Sequence, residues 1–251
     1  MSQMFPSNKS LMSRSRIIAH RNAGTILIEP FVPENVGTNQ YDVTLGPNFW
    51  RAKAKENVVD AWPEVQGHPV YNPYSERAVR EMFYLGKATH HQLVMEKLGM
   101  KEPFENISLE ERIIMIRPGE TILAHTNEFI GGVGPNVTTM MKARSSTGRN
   151  FLEVCKCAGM GDIGYCNRWT MEITNNSLDV AIPLVVGRRI AQLVFFETDP
   201  LEPGDGDYTS SGKYQSETEI AKLVEAWTPE DMLPKQWRDR EVRELQNRKR
   251  T

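Results

Sequence analysis

The pattern of hydrophobic and polar positions changes character along the chain. Residues 1–15 are rich in Ser, Met, Asn and Lys without an apolar period, which predicts a frayed arm. From Ile17 to Leu45, apolar runs broken by Pro30, Pro33 and Gly37 predict short strands, and Gln40 to Gly46 alternates as a strand should. Residues 52–111 read as a partly helical insertion. Pro63, Gly67, Pro69 and Pro73 mark a loop there, and Ser75 then stands as a cap. Val79, Met82, Phe83 and Leu85, followed by Leu93, Val94 and Leu98, fall near helical spacing, with Gly86 dividing the stretch.

From Ile113 the signal is β. Ile113–Arg117, Thr121–His125, Val137–Ala143, Trp169–Thr174, Val180–Val186 and Ile190–Glu197 are apolar runs separated by Gly, Pro, Asn or Asp turns. No helical pattern lies between them, which disfavours a parallel α/β sheet; the even spacing predicts an all-β sandwich, jelly roll or barrel. After Pro200 comes a loop, then a helix over Glu217–Trp227, and Thr228-Pro229-Glu230-Asp231 opens another. The expectation is one domain over residues 1–251, with 200–251 as a closing segment and helical tail.

The 251 residues, 39% hydrophobic and 25% charged, are ordinary for a soluble globular chain. A net charge of −2 supplies no general pull toward nucleic acid or an anionic membrane. No apolar run approaches the roughly 20 residues that cross a bilayer. A cytoplasmic protein with no nucleic-acid or membrane partner is expected. Arg238–Arg250 mixes basic and acidic residues and reads as a solvated helical end. Cys155, Cys157 and Cys166 are too few and odd in number for a disulfide framework. Their spacing is not that of a zinc site and no histidine is near, so three buried thiols and no metal ligand set are expected. His90 and His91 fit an exposed polar face better than a functional pair.

Three polar clusters carry candidate chemistry. Arg144-Ser145-Ser146-Thr147-Gly148-Arg149 follows a strand and offers guanidinium, hydroxyl and backbone donors, the set a polyphosphate needs. It lacks the P-loop pattern, and taken alone it also reads as a surface turn. Asp162 and Tyr165 suit a sugar, an acid for its hydroxyl and a ring for its apolar face. Glu172 sits among Trp169, Met171 and Ile173, and strand alternation fits either a buried acid or a solvated face.

Order and spacing then carry a resemblance. Arg144 to Arg149, Ala158, Asp162 and Thr170-Met171-Glu172-Ile173-Thr174-Asn175 keep the spacing of dCTP deaminases, which share a fold with trimeric dUTPases. Tyr41 to Gly46, Arg117 to Glu120 and Gly187 to Phe195 resemble further motifs of that superfamily. Tyr208 and Lys213-Tyr214-Gln215 are similar to its C-terminal segment, which folds over the nucleotide. The resemblance implies a dUTPase-like distorted jelly roll or barrel, a homotrimer with sites between subunits, and Mg²⁺ carried on the nucleotide phosphates.

By position it implies that Arg144, Ser145, Ser146, Thr147, Gly148 and Arg149 grip phosphates, joined by Gln192 of the shared motif. Asp162 and Tyr165 hold the sugar, Thr170 and Met171 read the base, and Tyr208 and Lys213 close on the triphosphate. Glu172 and the Ala158 carbonyl hold the attacking water, with Ser145 and Arg149 setting the pose of Glu172. The zinc-deaminase motifs His-x-Glu and Pro-Cys-x-x-Cys are absent, so the expected reaction is zinc-independent deamination of a deoxycytidine nucleotide, dCTP to dUTP and ammonia. A dUTP pyrophosphatase or a bifunctional deaminase and pyrophosphatase is the alternative, and a non-catalytic nucleotide sensor a third reading. The chain departs from the family around the base: Gly159-Met160-Gly161 replaces His-Arg-Ile, and Asn167-Arg168-Trp169 replaces a stretch of small residues.

Overall fold

The computed structural model describes residues 10–53, 62–202, 204–215, 217 and 219–248. Residues 1–9 of the expected arm and 54–61 of the insertion lie outside the described residues. The strands are β1 (Ile26–Glu29), β2 (Tyr41–Ala52), β3 (Glu64–Val65), β4 (His68–Pro69), β5 (Phe83–Lys87), β6 (Thr89–His90) and β7 (Arg112–Ile116). They continue as β8 (Thr121–Gly132), β9 (Val137–Ala143), β10 (Leu152–Glu153), β11 (Met160–Gly161), β12 (Cys166–Asn175), β13 (Ile182–Val185) and β14 (Arg189–Glu197). The helices are α1 (Arg14–Asn22), α2 (Glu76–Met82), α3 (His91–Leu98), α4 (Ser145–Arg149), α5 (Tyr208–Ser211), α6 (Ile220–Ala226) and α7 (Arg240–Arg248).

The main sheet runs β10-β12-β8-β2-β14-β9-β11, with β1 on β8 and β5 on β2. Its end strands β10 and β11 are neighbours in sequence, joined only by residues 154–159. If the sheet were flat, six strand gaps of about 4.8 Å would part them by about 29 Å. Seven steps of fully extended chain reach only about 25 Å, and this connection is a tight turn. The sheet therefore curls until its edges meet. The seam is closed by the turn Cys155–Cys157, which packs on β12, and by Met141 N–H donating to the Gly159 carbonyl at 2.7 Å.

Inside the curl lie Tyr41, Val43, Ile122, Ile130, Met141, Met171, Ile173, Leu193 and Phe195, all but removed from solvent. Each such burial contributes roughly 1.5–3 kcal/mol. The all-β expectation holds, and Val137–Ala143 forms a strand over the expected span. A second apolar layer covers the outer face of the sheet, where Trp50 and Leu123 meet Val79 from the insertion and Met232 and Leu233 from the tail. Thr228 and Asp231 form a capping box there on a single turn, Pro229–Met232. A third cluster, Val94, Ile113 and Val185, ties α3 to the three-stranded sheet β13-β7-β6. Residues 62–111 are thus folded onto the barrel. Among the described residues no helix is long and apolar enough to cross a membrane.

Several expectations are corrected. Residues 10–15 are not frayed: Met12 is fully buried, its N–H donates to the Phe195 carbonyl, and the chain runs along the β14 edge. Ile17 begins no strand but sits inside α1 as its buried contact. Phe83 and Leu85 leave the helix for β5, because pairing with β2 outweighs their near-helical spacing. Gly86 lies in that strand, where a Cβ would come within 2.5 Å of the Phe49 ring. His91 is buried, stacked on Phe104 at 5.0 Å, and its Nε2 accepts from Phe104 N–H, so only His90 keeps the exposed position. Cys155 and Cys166 are buried as expected, but Cys157 is exposed.

Candidate active site

Every expected site residue but Gln192 and the tail pair comes from the chain between β9 and the end of β12. β9 ends at Ala143, and Arg144 is extended and caps the single helical turn α4. Thr147 is buried and donates its hydroxyl to the Ile190 carbonyl at 3.1 Å, so it pins the turn to β14 and does not offer that proton outward. Ser145, Ser146, Gly148 and Arg149 are exposed. Arg144 is drawn back toward Asp42 at 3.4 Å, and Arg189 reaches the same carboxylate oxygen at 3.1 Å. Gln192 is half-buried on β14, between Asp42 of β2 and Lys142 of β9.

The chain then enters the seam. Cys155, Lys156 and Cys157 take φ values of 70°, 40° and 66°, three consecutive left-handed residues without a glycine. Such conformations cost of order 1–3 kcal/mol each and persist where the surroundings enforce them, often at functional sites. Ala158 follows, exposed at the end of this turn. Gly161 then passes the Trp169 indole so closely that a Cβ would meet the ring at 2.6 Å. Trp169 is itself fixed, its Nε1–H donating to the Ile130 carbonyl at 2.8 Å. Gly161 thus makes room for Trp169, whereas a Cβ at Gly159 would meet the Met141 carbonyl at 2.4 Å.

On β12, Met171 and Ile173 point into the core while Thr170 and Glu172 share the opposite, half-buried face. Glu172 stands across from Leu123 of β8. Burial pushes its carboxyl above the ordinary carboxylate range; its own backbone N–H and the Lys156 charge oppose this without reversing it. The Cys155 thiol lies near enough to feel that carboxylate and is pushed up to about 12, first by burial and then by Glu172. Among the described residues the acid forms no ion pair, and it is not in bulk solvent, a setting that suits proton transfer.

Asp162, Tyr208 and Lys213 line one cleft of about 590 Å³ together with Thr138 and Met160. Tyr165 borders it, edge-on to Trp169 at 5.2 Å and to Tyr208 at 4.9 Å. The tail is held over this cleft by Tyr208 N–H donating to the Ile163 carbonyl at 2.9 Å and Cys166 N–H to the Gln215 side chain at 2.8 Å. Lys213 is engaged by Asp239. The sugar and tail residues are thus brought together in one chain. Ser145 and Arg149 are not brought to Glu172: among the described residues neither is hydrogen-bonded or ion-paired to it, and Lys156 is the only cation acting on its charge. Sequence reasoning missed Lys156 and Arg168. Strand alternation places Arg168 on the face of Glu172, but nothing in its spacing announced a role.

A family model described as dCTP deaminase-like matches residues 11–198. A Clostridium botulinum protein named dCTP deaminase, dUMP-forming, is 33% identical over 155 residues, 60% of this chain and 84% of its own. A Methanococcus maripaludis protein of the same name is 28% identical over 217 residues, 85% of this chain and 95% of its own. Among solved structures, a 2'-deoxycytidine 5'-triphosphate deaminase of Agrobacterium tumefaciens aligns with a TM-score of 0.47 at 15% identity. That alignment covers 75% of this chain and 48% of the other, so this chain spans about half its length.

Proposed function

The chain belongs to the dCTP deaminase-like family, and from that premise we propose that it converts dCTP and two waters into dUMP, ammonia and pyrophosphate. The expectation that dUTP is the final product gives way, because the relatives carry the dUMP-forming name. The bifunctional alternative moves to first place. The observation that carries the reading is Glu172: a half-buried carboxyl held above its ordinary range, beside the strained turn that ends in Ala158.

In this reading a water lies between Glu172 and the Ala158 carbonyl. Glu172 takes one proton as the water oxygen bonds to C4, and delivers it toward N3. It then shuttles a proton to the amine, which leaves as ammonia while the C4 carbonyl forms. Thr170 and Met171 would present backbone groups to the base, Asp162 would accept from the sugar hydroxyl, and Tyr165 would cover the ring. The exposed donors of Arg144 to Arg149 would hold the phosphates and, in the second step, the charge that develops as water displaces pyrophosphate from the α-phosphorus.

Two further parts complete the proposal. Ser145 and Arg149 would reach Glu172 from an adjoining protomer, in a homotrimer with sites between subunits. That arrangement accounts for their failing to meet within one chain. The turn itself offers hydroxyls and guanidiniums, which suit phosphate oxygens and not a cation, so Mg²⁺ would be carried by the phosphates with few protein ligands.

The test is a panel of dCTP, dCMP, dUTP and 5-substituted dCTP, with ammonia and pyrophosphate both measured. Equal ammonia and pyrophosphate from dCTP, without dUTP accumulating, is the expected result. Ammonia with dUTP accumulating would restore the simple deaminase, and tight binding without either product would leave a nucleotide sensor.

A further inference from the structure

Arg168 is a half-buried guanidinium without an anion. Its Nε is buried and unpartnered, and it forms no hydrogen bond through its side chain and no ion pair among the described residues. Two rings lie against it, Phe129 at 4.9 Å and Trp227 at 4.7 Å. Glu128, which lines the same cleft, is the opposite charge that acts on it, but that carboxylate is bonded to Thr44, by its N–H at 3.0 Å and its hydroxyl at 2.9 Å, and forms no ion pair with Arg168. Burial accordingly pushes the Arg168 pKa down, with Glu128 opposing.

Arg168 lines a cleft of about 760 Å³ with Arg144, Arg188 and Arg189. The other three have carboxylate partners. Arg144 and Arg189 share Asp42, and Arg188 forks onto Glu111 at 2.9 and 2.7 Å. A cation stripped of water and left unpaired is unfavourable, and the planar guanidinium fork matches a tetrahedral oxyanion. The aromatic rings exclude water from the guanidinium and leave its N–H edge as the surface on which an anion can act.

We propose that this cleft binds an anion of the phosphate class, with Arg168 as its central ligand and Arg188 at its rim. It is separate from the donors of Ser145 to Arg149 and does not depend on the deamination reading. The anion is either free pyrophosphate or the end of a substrate's phosphate chain, since Arg144 stands between the cleft and the turn.

The test is calorimetric titration of the full chain with pyrophosphate. Two sites per chain are expected, one in the cleft and one at the turn. Arg168→Met should remove one site, and Arg188→Met should weaken the same site by about tenfold or more. Arg149→Met should weaken only the other. Should Arg168→Met lose its folded melting transition, Arg188→Met carries the test, because its side chain is exposed and lies outside the aromatic contacts. Titrations of both variants that match the parent overturn the proposal. A parent with one site that Arg168→Met abolishes keeps the cleft and removes the turn instead. Repeating the titration with an α,β-imido analogue of dCTP, which releases no pyrophosphate, separates the sources: displacement of the cleft's pyrophosphate assigns the site to the substrate tail, and simultaneous binding assigns it to the free anion.

Discussion

β8 and β12 each carry a glutamate whose carboxyl burial pushes above the ordinary range, and the two are held in different ways. Glu128 is 1% exposed and both of its oxygens accept from Thr44, a residue of the neighbouring strand β2. It ties β2 to β8 just beyond the Leu45–Thr126 pair, where the regular pairing of the two strands ends. Glu172 is half-buried, faces apolar Leu123, and has a strained turn beside it. Both acids are desolvated, but Glu128 is fixed by two donors of the neighbouring strand, whereas Glu172 is met by its own backbone N–H and the Lys156 charge. A raised pKa alone therefore does not distinguish the two acids, and the role proposed for Glu172 rests also on the seam beside it.

The comparison breaks most visibly by removing each acid. Glu172→Gln keeps the shape and removes the proton-carrying group, so turnover of dCTP should fall by about 10²–10⁴-fold while nucleotide binding and melting stay near the parent. A variant that keeps near-parent rates ends the assignment of Glu172. Glu128→Ala should do the reverse: most turnover remains, but stability falls by about 1–3 kcal/mol as two Thr44 donors lose their acceptor. The pH dependence has a definite sign. Because the folded-state pKa of Glu128 is raised, its contribution is present below the ordinary carboxylate range and lost as pH rises through the raised value. The gap between parent and variant in denaturant melts should therefore be widest at acidic pH and narrow upward; a gap that widens with pH contradicts this account.

How legible each region was follows from where its information lies. The barrel strands and the spacing from Arg144 to Asn175 are local patterns, and they could be read directly. The curl of the sheet could not, because it depends on β10 and β11 pairing at opposite ends of the strand order. The alternation of Glu172 with Met171 and Ile173 leaves its face open in the sequence, and the packing of β12 against the seam makes that face half-buried. Phe83 to Lys87 kept a near-helical spacing and became a strand through pairing with β2. Arg168 and Trp227 are 59 positions apart in sequence by their numbering and meet only in the fold, so no window along the chain could announce their contact. Thr147 reads in the sequence as another phosphate donor, but its hydroxyl donates to the Ile190 carbonyl.

The smallest effect gives the finest test of what sets Glu172 apart. Within one chain Lys156 is the cation that opposes the effect of burial on this acid. Glu172 must be ionised to take a proton from water, so the acidic limb of kcat/KM should lie above the ordinary carboxylate range. Removing the Lys156 charge should move that limb further up. The shift stays below about one unit, since unit charges 4 Å apart in water interact by about 1 kcal/mol and one unit corresponds to about 1.4 kcal/mol. Lys156→Met is the suitable change because Met at a φ of 40° bears the same backbone strain as Lys. Lys156→Arg should restore the parent profile, whereas Lys156→Gly relieves the strain and removes the charge together. If the limb stays fixed in Lys156→Met, the charge on Glu172 is governed by groups from another protomer, and Ser145 and Arg149 are then the first to vary.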